Sequence, residues 1–387
     1  MKKALFIIAA AVALLPLVIG ACSLGPIATE IAPSPKAATP AVTSAPAGQA
    51  DWAQTLAAAK KEGQVNLYTP TAGPWQQLMT KDLANKYGII LNVTISNNEG
   101  EIAQRILTAR KGGVYDADVL MGGSAIFAST YRPQGLLDPL DKELVLPEVT
   151  NPKSWWRGAL TYLDPDTRTF FPYREYLGAP LVMNTDLFKP GDVKTWDNLL
   201  DPKWKGKIVI TDPTTNTYAQ EIMAMLALRI RNWDFVVRLS QQDPVLVNDT
   251  RLAMEWIGHG AYPILVAPNK SEALGFIQQG VPVNFLILEE GMYVTTGAGF
   301  IGAVNKRPNP NAARIFINYF LSEEGQYLFC KSGGYQSARA DVPTDYLPPL
   351  LVRQTGVNYF STFDKSFLDS QAQITAKVID LYKPLKR

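Results

Sequence analysis

Short apolar segments alternate with amphipathic segments along the chain, and this alternation limits the possible folds more than any other feature. Apolar runs typical of strands occur at 65–68, 89–95, 117–121, 207–211 and 262–266. Apolar residues at helical spacing predict helices in other segments, for example 75–87 and 218–228. Strands and helices that alternate with short loops indicate α/β sheets in which most strands are parallel. In such sheets, ligands bind beside the carboxyl ends of the strands.

One predicted strand end is rich in hydrogen-bonding side chains. The strand at 207–211 runs into the threonine- and asparagine-containing loop 212–217, and a helix follows. A strand end that leads into a helix N-terminus gathers backbone N–H groups and hydroxyl donors, which suits an anion. A simpler role is also open, because Thr215, Asn216 or Thr217 can act only as the helix N-cap.

Residues 1–21 have the pattern of a secretory signal. Lys2 and Lys3 precede an apolar run that is short for a membrane span. The sequence Ile-Gly-Ala-Cys at its end resembles the lipobox of bacterial lipoproteins, which implies cleavage before Cys22 and lipid attachment to its sulfur. An ordinary signal peptide is the alternative. We therefore expect an extracytoplasmic protein that is anchored by lipid to the outer face of the cell membrane, or on the periplasmic side if an outer membrane exists.

Residues 22–50 are dominated by proline, alanine, threonine and serine, so they cannot bury enough apolar surface to fold and predict a disordered tether. The remaining chain is long enough for two lobes. We assign 51–181 together with 289–387 to lobe one and 182–288 to lobe two, because apolar segments near both boundaries can cross between lobes.

Charge and composition exclude several classes of function. Cleavage of the signal removes two of the 37 basic residues, which leaves 35 against 35 acidic residues and no basic field for nucleic acid. Once Cys22 carries lipid, Cys330 has no partner for an intramolecular disulfide, and we expect it in the core. With His259 as the one histidine, zinc sites and histidine-dependent catalytic triads are nearly excluded.

Several segments together resemble the solute-binding proteins of ABC importers, in the ferric-iron-type branch with two hinge crossings. These segments are AAAKKEGQVNLY, DADVLMGG, GLLDPL, LLDPKWKGKIVITDP, RPNPNAARIFINYFLSEEGQ and SARADV, which span residues 57 to 342. The resemblance implies a two-lobed α/β fold of the periplasmic-binding-protein type, with a mostly parallel sheet in each lobe. It also implies that the lobes close on a small ligand and present it to a membrane permease.

The metal ligands of the iron-binding members do not match this sequence. The resemblance places them at or near Ala72, near Gly123 and near Asn269-Lys270, and none of these residues offers a carboxylate or phenolate to Fe(III). Tyr173 and Tyr176 precede the hinge, where some members carry a tyrosine, so they are the alternative metal ligands.

The anion-binding half of the family's site does match. The resemblance gives this role to the loop containing Thr214–Thr217 and to Asn248. Arg251 adds a charge suited to a carboxylate or phosphonate, although it also fits a solvated helix residue. Tyr218 and Tyr293 fit either the pocket wall or the lobe core. The predicted ligand-binding residues are Thr69, Thr71, Ala72, Gly123, Ser124, Thr214, Thr215, Asn216, Thr217, Asn248, Arg251 and Asn269.

The sequence therefore predicts a monomeric, lipid-anchored receptor of an ABC importer that captures a small organic anion by hinge closure, without a cofactor. The ligand would be a carboxylate, phosphonate or phosphate ester. The alternative is a receptor for ferric iron or another metal chelate. An enzyme is not expected: adjacent Glu289 and Glu290 would face opposite sides of a strand, and Asp164-Pro165-Asp166 is typical of a turn.

Overall fold

The chain folds into helices and strands that alternate as predicted. The computed structural model describes residues 47–386 apart from 97, 190 and 298, and it includes their side chains except at 47–50, 217 and 350. The predicted signal peptide, the lipidation site Cys22 and the tether up to residue 46 lie outside the described residues. The first helix begins at Ala47, inside the segment predicted as tether. In the described part of the chain, every helix is too short or too polar to cross a bilayer.

The helices and strands have the following bounds. The α-helices are α1 (Ala47–Glu62), α2 (Trp75–Tyr87), α3 (Glu99–Lys111), α4 (Ser124–Ile126), α5 (Pro147–Thr150), α6 (Thr217–Met225), α7 (Trp233–Ser240), α8 (Thr250–Gly258), α9 (Lys270–Gln278), α10 (Pro310–Leu321), α11 (Glu323–Gly333) and α12 (Lys365–Tyr382). The strands are β1 (Gln64–Thr69), β2 (Ile90–Ile95), β3 (Val119–Gly122), β4 (Leu137–Asp138), β5 (Phe171–Pro172), β6 (Arg174–Gly178), β7 (Leu181–Asn184), β8 (Ile208–Thr211), β9 (Val245–Val247), β10 (Ile264–Val266), β11 (Val283–Leu286), β12 (Met292–Thr295), β13 (Phe300–Val304), β14 (Gln336–Ser337) and β15 (Tyr359–Ser361).

The first sheet has the strand order β2-β1-β3-β13-β4, and β5 also pairs with β13. Strand β1 is parallel to β2 and β3, as predicted, whereas β13 is antiparallel to β3, β4 and β5. Trp75 and Met79 of α2 pack with Phe316 and Phe320 of α10 in the core beside this sheet. The sheet is therefore mixed, because β13 enters from the opposite direction.

The second sheet has the order β11-β7-β10-β8-β9 and is also mixed. Strands β10, β8 and β9 are parallel, while β7 is antiparallel to β10 and β11. Every residue of β8 is buried, because α6 and α7 pack on one side of the sheet and α8 and α9 on the other.

A third sheet, with the order β14-β6-β12-β15, joins the other two. Strand β6 leads into β7 of the second sheet, and β12 leads back into β13 of the first. The two connecting strands pair antiparallel, with Gly178 opposite Tyr293. A Cβ atom at residue 178 would lie 1.9 Å from Cζ of Tyr293, so the position has room only for glycine. The tyrosine ring consequently lies flat across the hinge.

Two helical assignments differ from what the sequence predicts. The apolar periodicity of residues 314–328 predicts one continuous helix, but the structure breaks it at Ser322, whose Oγ accepts from the N–H of Gly325 at 3.1 Å and starts α11. The C-terminal helix α12, which we assigned to lobe one, packs against α6 with Phe367 and Val378 in the core of the second sheet. Its apolar spacing predicted a helix correctly but could not specify which lobe would cover its apolar face. The exact lobe boundaries stay predictions.

Candidate ligand cleft

A cleft of about 970 Å³ lies between the sheets and collects residues from all three. The first sheet contributes the loop after β3, and the second contributes the N-terminal ends of α6 and α9. The connecting strands β6 and β12 supply Tyr176, Tyr293 and Thr295. Residues from separate regions of the sequence therefore meet on one concave surface.

Two asparagines bring helix N-termini to the cleft. Asn216 caps α6, because its Oδ1 accepts from the N–H of Ala219 at 3.0 Å. Asn269 caps α9 by accepting from Ser271 and Glu272 at 3.0 and 3.3 Å. Both residues are lining residues as well as caps. The positive ends of both helices therefore lie at the cleft, which favours an anion there.

Two threonines of the predicted anion loop form hydrogen bonds with other residues of the protein. Thr215 is exposed and donates its hydroxyl to Oδ1 of Asn248 at 2.6 Å, and Asn248 in turn lines the cleft. The backbone N–H of Thr214 donates to Asp212. Neither threonine is a lining residue, so the loop reaches the cleft through asparagine rather than through hydroxyls. Thr217 begins α6, and its side chain lies outside what the structure describes.

The predicted residues of the first lobe divide in the same way. Gly123 and Ser124 line the cleft. Thr69 and Thr71 are buried; Oγ1 of Thr69 accepts from the N–H of Thr71 at 3.0 Å, and the side chain of Thr71 hydrogen-bonds with Tyr173. Ala72 is exposed and is not a lining residue. The prediction that this loop contacts ligand is therefore not supported by its position in the fold.

Arg251 is a solvated helix residue and not part of the cleft. Its side chain is 74% exposed and pairs with Glu255 one helical turn away, at 3.3 Å. The residue follows the cap of α8, where the helix surface faces solvent. Of the two roles that the sequence left open for this arginine, the structure selects the surface role.

Glu99 is a cleft residue that the sequence analysis missed. Its carboxylate accepts from the N–H of Gly123 at 2.7 Å, and both residues line the cleft. Burial raises the pKa of Glu99, although the charge of Arg174 opposes that shift. An acid is thus present beside Gly123, where the family resemblance implied one, but it comes from α3. Only tertiary contact brings the two segments together.

A group of phenols and a carboxylate lies where α6 meets β12. Tyr218 and Tyr293 are hydrogen-bonded through their hydroxyls, and Glu221 lies one helical turn after Tyr218. The side chains of Thr295 and Thr362 hydrogen-bond with Glu221. Burial raises the pKa of all three acidic groups, so they are protonated more readily than in water. The three-residue spacing of Tyr218 and Glu221 on one helix was the available sequence signal.

Two cationic groups contact the ring of Tyr176. Cζ of Arg174 is 5.1 Å from the centroid of its ring, and Nζ of Lys270 is 5.3 Å away. Arg174 is 4% exposed, and within the described residues its Nε and Nη1 have no hydrogen-bond partner. Burial lowers the pKa of Lys270 to about 8. This side of the cleft therefore carries positive charge, from Lys270 in its lining and from the buried Arg174 beside it.

Tyr173 does not belong to this group, although the sequence offered it as a metal ligand. It is fully buried, and its ring packs edge-on against Phe320 and Phe329 at centroid distances of 4.9 and 5.3 Å. Tyr173 thus belongs to the core beside the first sheet and does not line the cleft. Cys330 is buried in the same core, as predicted.

The possible metal ligands around the cleft are mainly phenol oxygens. The described residues contain no group of three or more histidine, cysteine, aspartate or glutamate side chains placed to hold a metal. The oxygen donors that line the cleft are instead phenols combined with separate carboxylates, namely Tyr176, Tyr218, Tyr293, Tyr335, Glu99 and Glu221. Any metal bound here would be coordinated mainly by tyrosine oxygens.

The two-lobed fold with a cleft crossed by two connecting strands defines a ligand-capturing protein. The chain belongs to the family of bacterial extracellular solute-binding proteins, which it matches over residues 78–349. It is accordingly an extracytoplasmic substrate-binding component of an ABC importer. The predicted fold class is confirmed.

Two solved structures and one protein sequence illustrate the relationship. The chain is 24% identical over 305 residues to iron uptake protein A1 of Synechocystis sp., which covers 73% of this chain and 78% of that protein. A Trichodesmium protein (IdiA, FutA), solved with iron and citrate, superposes with a TM-score of 0.62 at 21% identity and covers 84% and 99% of the two chains. The periplasmic binding protein AfuA of Actinobacillus pleuropneumoniae, solved with fructose-6-phosphate, gives 0.53 at 19% identity and covers 84% and 98%.

Proposed function

We propose that this importer component captures ferric iron together with a small organic anion. The observation that carries the proposal is the cleft's composition: phenol and carboxylate oxygens line the same cleft as the ammonium group of Lys270 and two helix N-termini. The sequence favoured an organic anion alone and kept iron as the alternative. The iron uptake protein and the iron- and citrate-bound structure among the relatives support the alternative.

Metal-ligand chemistry agrees with this choice. Ferric iron is a hard cation, and hard cations select anionic oxygen ligands over thiolates. The sequence argued against iron because one tyrosine without partners makes a poor site. The fold removes that objection, since tyrosines from β6, α6 and β12 line one cleft.

The positive charge in the cleft explains why an anion would accompany the metal. Lys270 is the first residue of α9, so its ammonium group adds to the positive end of that helix. Asn216 and Asn248 offer neutral donors from the neighbouring loops. A carboxylate-rich anion can contact these groups while it also coordinates the metal, which accounts for both halves of the cleft.

A metal-free organic anion is the second candidate. The position of Lys270 at the helix N-terminus favours it, and so does the fructose-6-phosphate-bound structure with the same fold. This candidate gives no role to the phenols of Tyr218 and Tyr293, which is why we rank it second.

A titration of the purified protein distinguishes the candidates. Ferric citrate should bind near one equivalent per chain and produce a visible phenolate-to-iron absorption band, with iron content measured by elemental analysis. Citrate alone, with iron removed by a chelator, should bind more weakly and without colour. Binding of citrate with equal affinity in the absence of iron, and no iron retained after gel filtration, would establish the second candidate instead.

We also infer that Cys22 carries the membrane anchor, on the strength of the Ile-Gly-Ala-Cys sequence alone. In a bacterial host, the unmodified sequence should fractionate with membranes and incorporate radiolabelled palmitate. A Cys22→Ser variant should lose the label and appear in the soluble extracytoplasmic fraction. Equal labelling of both proteins would contradict this assignment.

A further inference from the structure

One group of side chains at the cleft is acidic and another is basic. We name Tyr218, Glu221 and Tyr293 the phenol–carboxylate cluster, and we name Arg174 and Lys270, which both contact the ring of Tyr176, the cationic wall. Lys270 lines the cleft, whereas Arg174 is buried beside it, and the acidic oxygens that line the cleft here belong to the cluster and to Tyr176. Which of them binds the metal is therefore a question of electrostatics.

The cationic wall is a poor place for a trivalent cation. Arg174 lies over the Tyr176 ring, and it also lies 4.3 Å from the ring centroid of Tyr335. An iron bound by either hydroxyl would lie close to a buried guanidinium and would be repelled through a medium of low dielectric constant. Lys270 adds a second positive charge next to Tyr176.

The phenol–carboxylate cluster lacks this repulsion. Among the described residues, no lysine or arginine lies over the ring of Tyr218 or Tyr293 as Arg174 and Lys270 do at Tyr176, and no cationic group forms a salt bridge with Glu221. Two phenolates and one carboxylate would together match the charge of one ferric ion. The cluster therefore offers charge neutralisation that the cationic wall cannot.

The cluster is also held in place by the fold. Tyr218 and Glu221 share one face of α6. Tyr293 lies on the hinge strand β12, and its ring packs against Gly178 of β6. The hydroxyl contact between Tyr218 and Tyr293 shows that the two oxygens already converge on one point. Donors that lie on a helix and a strand are positioned more rigidly than donors on loops.

We propose that Tyr218, Glu221 and Tyr293 are the protein ligands of the ferric ion, while the cationic wall faces the accompanying anion. This inference rests on the proposed function and names the donors within that site. Coordination replaces the phenol protons, so each tyrosine releases one proton to solvent as its oxygen binds iron. The carboxylates of the anion supply further oxygens to the same metal.

The test compares matched variants of the full chain loaded with ferric citrate. Tyr218→Phe and Tyr293→Phe each remove one hydroxyl and keep the ring, and Glu221→Gln removes the charge. Each variant should lose at least about tenfold in iron affinity, by analogy with the known cost of disturbing metal-site residues. The two phenylalanine variants should also lower the absorbance per bound iron. Tyr68→Phe is the matched control, since Tyr68 is a buried phenol outside the cleft that donates to Asp116.

Tyr176→Phe and Tyr335→Phe supply the rival result. If the band disappears in these variants and persists in Tyr218→Phe and Tyr293→Phe, the assignment is overturned while iron capture stands. If the unmodified protein binds no iron and shows no band, the proposed function fails and the assignment fails with it. Citrate binding and the thermal unfolding temperature of every variant establish that a loss of iron is not a loss of fold.

Discussion

The phenol–carboxylate cluster and the cationic wall occupy the same cleft but differ in how the fold produces them. The cluster is built from Tyr218 and Glu221 on α6 and from Tyr293 on a hinge strand. The wall is built from Arg174 on the other hinge strand and Lys270 at a helix start. Acidic and basic groups at the same cleft indicate a ligand that carries both positive and negative charge. A metal–anion complex is such a ligand.

The largest expected effect comes from disturbing the cluster without removing any of its oxygens. In Gly178→Ala, the new methyl group overlaps the Tyr293 ring, so the ring must move away from Tyr218. We expect the free energy of unfolding to fall by about 3 kcal/mol, at the upper end for overpacking. Urea denaturation measures this loss, and the iron band should weaken in parallel.

Gly112→Ala is the control for that experiment. Its φ of −85° is accessible to alanine, and a Cβ there meets its nearest neighbour at 3.4 Å. Its stability should stay within about 0.5 kcal/mol of the unmodified protein, as for most surface changes. A Gly178→Ala protein with unchanged stability would mean that the hinge tolerates a displaced Tyr293.

Removing the lysine of the cationic wall tests the other half of the cleft. Lys270→Met should weaken the binding of citrate by about 1.5–3 kcal/mol, the usual value for a hydrogen bond to a charged group, measured by isothermal titration calorimetry. Lys365→Met is the matched control, since Lys365 also begins a capped helix but pairs with Asp369 at the surface. Equal losses in both variants would show that general charge, not the wall, attracts the anion.

The pH dependence of citrate binding sharpens the same comparison. Burial lowers the pKa of Lys270 to about 8, so its ammonium group is charged below that pH and becomes neutral above it. Metal-free citrate affinity should therefore decline as the pH rises through about 8, and this step should be missing in Lys270→Met. Iron must be absent, because release of phenol protons strengthens metal binding as the pH rises and has the opposite sign. A step of equal size in the variant would assign the titration to another group.

A smaller effect is expected from the helix cap at the cleft. Asn216→Ala should cost about 1 kcal/mol of stability, as loss of an N-cap usually does, and should also weaken citrate binding. Asn232→Ala removes the cap of α7, whose oxygen accepts from Phe235 at 3.0 Å outside the cleft. Thermal unfolding should show similar losses in the two variants, while calorimetry should show weaker citrate binding only in Asn216→Ala. Matching affinities would mean that Asn216 acts only as a cap.

The smallest effect is expected from Arg251→Ala. The guanidinium is exposed and pairs only with Glu255 among the described residues, so its removal should change neither ligand affinity nor stability beyond about 0.5 kcal/mol. A clear loss of citrate affinity in calorimetry would return this residue to the site that the sequence analysis assigned to it.

The sequence by itself determined the fold class and the locations of most elements. Hydrophobic periodicity is a local property of the sequence. The strand at 208–211 and the helix at 75–87 can therefore be predicted from their own residues alone. The strand-end loops were found for the same reason, and Gly123, Ser124, Asn216, Asn248 and Asn269 do line the cleft.

Only the tertiary structure decided which polar groups remain available to a ligand. The side chain of Thr71 hydrogen-bonds with the distant Tyr173, and Glu99 reaches the cleft from a different helix, and neither outcome is visible in a local pattern. The position of the C-terminal helix likewise depends on packing, which places its apolar face in the core of the second sheet. The pattern of a strand predicts that a loop follows it. The hydrogen-bond partners of the polar groups in that loop, however, depend on residues far away in the sequence. The arrangement of the phenol–carboxylate cluster and the cationic wall around one cleft is therefore a property of the fold.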